Sequence, residues 1–79
     1  MTRSEILDKY RAERDALDGE TDAWKMAAAK HEAALLCAQG DPADVRAGYV
    51  EERAKASPAR WARLDAKIAV CDEMAAASA

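Results

Sequence analysis

Apolar side chains recur along the first half of the chain at helical spacing. Leu7, Arg14, Thr21, Ala28 and Leu35 occupy one position of a seven-residue repeat, and Tyr10, Leu17, Trp24, His31 and Ala38 occupy the position three further on. Positions three and four apart share one face of an α-helix, so the pattern describes a single apolar edge. Three of these ten residues, Arg14, Thr21 and His31, are polar, yet the phase runs from Leu7 to Ala38 without a reset. Gly19 lies on the opposite side, where glycine weakens a helix by about 1 kcal/mol relative to alanine. The pattern predicts one helix from about residue 3 to 39, softened around Asp18-Gly19. Thr2 and Glu5 have the spacing of a capping box at its start, with Ser4 as a rival cap.

Gly40-Asp41-Pro42 is the strongest punctuation. Gly40 suits a left-handed residue closing a helix, Asp41 an N-cap, and Pro42 a first turn in which no amide hydrogen is missed. A second helical arm is predicted from about 42 to 77, with its stripe at Trp61, Leu64, Ile68, Cys71 and Ala75. Traced backwards, that register meets Ser57, Ala54, Val50, Ala47 and Ala43, and leaves Val45 and Tyr49 outside. Ser57-Pro58 accounts for the slip, because proline restricts its predecessor and removes a helical hydrogen bond; the arm is kinked or split there. Two arms of about 36 residues, ~55 Å each, predict an all-α antiparallel hairpin. Folding at residues 40–41 sets Leu17 against Leu64, Tyr10 against Cys71 and Leu7 against Ala75. The expected core is Leu7, Tyr10, Leu17, Trp24, Leu35, Val50, Trp61, Leu64, Ile68 and Cys71, and a compact three-helix bundle bent at Ser57-Pro58 is the alternative. The alanine-rich tail from Ala75 is expected to fray.

Composition thins this core. Of the 79 residues 51% are hydrophobic, but 21 of these are alanine and there is no phenylalanine. A chain this short forms one domain and buries roughly 60–65% of its surface. A single core of this size leaves only a few kcal/mol of net stability. Self-association, most simply as a homodimeric coiled-coil-like bundle, or a docked protein partner is therefore expected. Isoleucine, valine and threonine, which favour strands, total only seven.

The net charge is −3, and no segment is basic enough to track a phosphate backbone, so direct nucleic-acid binding is not expected. Glu5 and Asp8 interrupt any signal-peptide core, and the longest charge-free stretch, Ala33 to Gly40, is far short of the ~18 apolar residues of a membrane span. Cys37 and Cys71 are too few for a disulfide scaffold, and a cytoplasmic setting is expected.

Candidate chemistry is sparse. His31-Glu32-Ala33-Ala34-Leu35 begins like a zinc-protease helix, but Leu35 stands where the second histidine must be. His31 reads instead as a partly buried, hydrogen-bonded residue of the seam. The hairpin places Cys37 and Cys71 near opposite ends, which argues against an internal disulfide. Glu51-Glu52 and Asp72-Glu73 are adjacent in sequence, and adjacent helical residues point apart. No catalytic residue, metal or cofactor is expected.

Two surfaces invite partners. Met26, Leu36, Val45 and Tyr49 lie off the seam; left exposed together they form a docking patch, and a local rotation at the turn buries them instead. Asp8, Asp15, Asp18 and Asp22 line one outer stripe of the long first helix. The leading reading is a non-enzymatic helical protein–protein interaction module, of the kind serving as a bacterial or phage accessory or adaptor protein. The alternative is an inhibitor of a nucleic-acid-binding effector, anti-CRISPR-like, acting through the acidic stripe.

Overall fold

The computed structural model describes residues 1–77. Its elements are α1 (Arg3–Asp15), α2 (Asp22–Gln39), α3 (Pro42–Lys55) and α4 (Trp61–Ala76), the last entered through a single 3-10 turn, Pro58–Arg60. The all-helical expectation holds, but the chain folds as four helices rather than as two long arms or a three-helix bundle.

The predicted 3–39 helix is broken between Asp15 and Asp22. The polar residues that interrupted its apolar edge supply the reason. Thr21 is the N-cap of α2: its Oγ1 accepts from the Trp24 amide at 3.1 Å and donates to the Asp18 carbonyl at 2.9 Å. Doubling back of the chain then brings Arg14 on α1 to His31 on α2, with Arg14 Nη1 3.1 Å from His31 Nδ1. Two seam positions that would repel an apolar partner satisfy each other across an antiparallel pair. The reversal needs one left-handed residue, and Glu20 takes it, with φ 70°; Gly19 does not.

The other boundaries follow their local chemistry. Thr2 and Glu5 form the capping box, with Glu5 N donating to Thr2 Oγ1 at 3.2 Å and Thr2 N to Glu5 Oε1 at 3.0 Å. Asp41 Oδ1 accepts from the Ala43 amide at 2.9 Å, and Pro42 occupies the first turn of α3. Gly40 is extended (φ −141°) rather than left-handed, and its amide closes α2 by donating to the Leu36 carbonyl at 3.0 Å. Ser57-Pro58 is a full break: α3 ends at Lys55, and Pro58 opens the 3-10 turn. Helix α4 holds through Ala76 and Ala77 leaves it as an extended C-cap; the rest of the expected fraying concerns residues 78 and 79, outside the described residues.

Contacts fix the directions. Arg46 pairs with Asp72 at 2.8 Å and Arg53 with Asp65 at 2.6 Å, seven residues later on α3 and seven earlier on α4, so these helices are antiparallel. Cys37 meets Cys71, and Glu32, earlier on α2, meets Lys67, earlier on α4; α2 and α4 therefore run parallel. The order across the molecule is α1, α2, α4, α3, a slab of 34 × 30 × 15 Å. Its beginning is tied to its end: Arg3 Nε donates to the Met74 carbonyl at 3.0 Å, and Lys9 Nζ reaches Glu73 at 2.7 Å.

One core gathers Ile6, Ala33, Ala34, Cys37, Tyr49, Leu64, Val70, Cys71 and Met74, with Leu7, Tyr10, Val45 and Ile68 packed against it. Ala33 and Ala34 are fully buried. Side chains this small let α2 approach its neighbours closely, so the chain forms a core from few large residues.

Candidate functional site

The structure redistributes the residues singled out in the sequence. Of the expected core, Leu64 and Cys71 are buried; Leu7, Tyr10 and Ile68 are partly buried against the core; Trp24 and Leu35 are half-buried. Leu17, Val50 and Trp61 are exposed, at 39%, 42% and 38%. Leu17 was paired with Leu64 on the premise of an unbroken first arm; the break after Asp15 carries it out to the α1–α2 corner. Val50 came from tracing the α4 stripe backwards through Ser57-Pro58. The break there gives α3 its own phase, and Val45 and Tyr49 face the core instead. Trp61 covers the α3–α4 corner: its indole Nε1 donates to the Ala56 carbonyl at 3.2 Å, and the Arg53 guanidinium stacks 4.6 Å from its ring centre.

The off-seam patch comes apart for the same reason. Tyr49 is only 7% exposed, Val45 is packed on the core, Met26 is half-buried and Leu36 alone is open, at 41%. Val45 and Tyr49 are thus taken up within the chain, while Leu36 stays open. Burial, followed by the neighbouring Glu32 charge, pushes the Tyr49 hydroxyl up to about 12, and its oxygen finds no hydrogen-bond partner.

Cys37 and Cys71 do not lie at opposite ends of the molecule. Their sulfurs are 3.5 Å apart, both thiols are free, and both side chains are fully buried. The parallel course of α2 and α4, which a two-armed hairpin cannot produce, brings them together. Burial raises both thiols; Cys71, which also hydrogen-bonds with Cys37, rises to about 12. A thiol so strongly held in its neutral form is a poor nucleophile.

His31 is 9% exposed. Arginine has no acceptor, so Arg14 must donate to Nδ1, and the ring hydrogen sits on Nε2, which is buried without a partner. Burial, then the Arg14 and Arg11 charges, holds the imidazole below its usual value. No cluster of three or more His, Cys, Asp or Glu side chains that could hold a metal occurs among the described residues. Glu73 accepts from Lys9 and from the Tyr10 hydroxyl; burial pushes its carboxyl up, and these hydrogen bonds outweigh burial and hold it below the usual range.

The aspartates do not share one helix face. Asp8 and Asp15 lie on α1, Asp18 in the connection and Asp22 in the first turn of α2, all exposed. Asp8 is 3.7 Å from Arg11 and Asp15 is 3.0 Å from Arg14. The break gathers Asp15, Asp18, Glu20 and Asp22 at one corner instead.

Beside that corner lies an apolar trough of about 460 Å³ between the end of α1 and the first half of α2. Ala16, Leu17, Ala23, Met26 and Ala27 form it, and Glu13 and Lys30 stand at its rim. Neither Glu13 nor Lys30 has an ion-pair partner among the described residues. Sequence reasoning missed this site because it counted Leu17 as core and read one helix where the trough's two walls are separate. No described helix is long and apolar enough to cross a membrane. Comparison with family models, with curated proteins and with solved structures found no match to this chain.

Proposed function

We propose that this chain is a non-enzymatic helical protein–protein interaction module that docks through the α1–α2 trough, and that the occupant is a second copy of itself. The observation that carries the reading is the trough's composition: an exposed Leu17 beside alanines, with an acid and a base at the rim that have no ion-pair partner among the described residues. In a two-fold pair the same patch meets itself, so each contact occurs twice. Glu13 of one copy then faces Lys30 of the other, and the reverse, while Leu17 and Met26 fill the partner's trough. A thin core adds to the gain, since apolar surface left open in the monomer is covered at about 25 cal/mol per Å².

Light scattering and sedimentation over a concentration series test the pairing. Leu17→Glu places a charge in the trough without touching the monomer core, and is expected to give a folded monomer. Glu13→Lys and Lys30→Glu are each expected to weaken the pair, and together to restore it. A wild-type chain that stays monomeric at every concentration would falsify the proposal.

A second reading rests on the acidic corner. Asp18, Glu20 and Asp22 lie within five residues of one another at the connection and have no ion-pair partner among the described residues. This arrangement favours an inhibitor that occupies the basic groove of a nucleic-acid-binding effector. Such binding must weaken steeply with salt and on changing Asp15, Asp18 and Asp22 to asparagine. Indifference to both would remove it.

A further inference from the structure

At the head of α4 three cations converge on a cleft of about 190 Å³, and we infer that it binds a phosphate-type dianion, as free phosphate or as a phosphate monoester. Arg60, Arg63 and Lys67 are spaced three and four residues apart, so one face of the turn and helix presents all of them. Ala59 and Leu64 close the cleft beside them.

Lys67 is the most buried of the three. Its side chain is only 14% exposed, its ammonium lies 5.1 Å from the centre of the Tyr49 ring, and its one ionic neighbour, Glu32, is 3.5 Å away. Glu32 and the Tyr49 ring compensate its charge on one side, and its ammonium makes no geometrically defined hydrogen bond to a described residue, which leaves donors free for an anion. Arg63 has no ion pair among the described residues, and Arg60 uses only Nη2, on Glu52 at 2.9 Å, which leaves most of its fork free. Two planar forks and one ammonium match a tetrahedral oxyanion with several acceptors and two charges better than they match a single carboxylate. The field at the start of α4 has the same sign: neither Ser57 nor Arg60 places a side-chain cap there, so no local group competes for an anion.

Backbone amide NMR during titration with inorganic phosphate near pH 8, at ionic strength held constant with chloride, tests the site. Saturable shifts confined to residues 59–67 are expected, and glycerol phosphate is expected to move the same residues. The tighter of the two ligands identifies the source as organic or inorganic. Arg63→Gln, at an exposed position, is expected to weaken binding about tenfold, the loss of one charge-assisted hydrogen bond. Lys67→Met, with folding checked by circular dichroism, is expected to lose as much or more. Arg46→Gln, which breaks the pair with Asp72 outside the cleft, is expected to change nothing. Linear shifts spread over every lysine and arginine, acetate acting as well as phosphate, or unchanged binding in Arg63→Gln would each overturn the assignment. The cleft shares no residue with the α1–α2 trough, so Leu17→Glu is expected to retain it.

Discussion

The Cys37–Cys71 contact offers a direct test of the parallel α2–α4 packing, because thiol labelling measures both burial and stability. A free thiol is about one-tenth ionised near pH 7.5, whereas one raised to about 12 is ionised about 3 times in 100,000, a ~3,000-fold loss of the reactive form. Direct attack on the native protein needs that rare thiolate and also a path for the reagent to a sulfur with no exposed surface. Labelling through unfolding competes with it. A domain of this size keeps roughly 3–5 kcal/mol of stability, so the open form is populated about once in a few hundred to a few thousand molecules. The unfolding route is therefore the faster. An aromatic disulfide reagent is expected to label both cysteines together, about 200- to 4,000-fold more slowly in buffer than in concentrated urea. Small increments of denaturant are expected to speed labelling in step with the loss of stability. Either thiol reacting within tenfold of its unfolded rate, or one reacting long before the other, would refute the shared burial.

Glu20→Gly removes a left-handed non-glycine residue, which costs roughly 1–2 kcal/mol, and adds some backbone freedom to the unfolded chain. A net gain of about 0.5–1 kcal/mol, or a Tm higher by roughly 3–6 °C, is expected from thermal unfolding; a lower Tm would place the reversal elsewhere. His31 is the only histidine, and its folded value is lowered by burial and by Arg14 and Arg11, so the unfolded chain takes up its proton first. Its contribution to stability is complete above about pH 6.5 and is lost as pH falls through the lowered folded value. Urea midpoints that fall between about pH 7 and 5, together with an imidazole midpoint below 6.5 by NMR, are expected; an imidazole titrating at or above 6.5 contradicts the buried Arg14 contact.

Helix content, the turn at Gly40-Asp41-Pro42 and the capping roles of Thr2 and Asp41 were readable because each rests on a short-range rule that few residues decide. The error lay in treating an unbroken heptad phase as proof of an unbroken helix. A connection of six residues, 16 to 21, restarts the repeat almost in phase, so periodicity alone cannot distinguish a rod from a hairpin. The residues that could have done so were the three polar ones. Thr21 followed by Asp22 is itself a helix start, and Arg14 and His31 at interior positions required partners that only a reversal could bring. With the first arm treated as one piece, Leu17 was drawn into the core and the trough it lines disappeared from view. Tyr49 was misplaced by the converse step, carrying one phase across a proline that ends it. The Cys37–Cys71 approach follows from the relative direction of α2 and α4, a property of three connections together that no local pattern encodes.

The slab's 15 Å thickness is half or less of either of its other dimensions. In so thin a body every helix carries exposed residues along part of its length. The two inner helices, α2 and α4, are flanked on both sides and lean chiefly on each other, whereas α1 and α3 each hang from a single main neighbour. Local opening therefore works inward from the margins, and the surfaces carried by the marginal helices are the ones that the molecule can most readily reshape around something else.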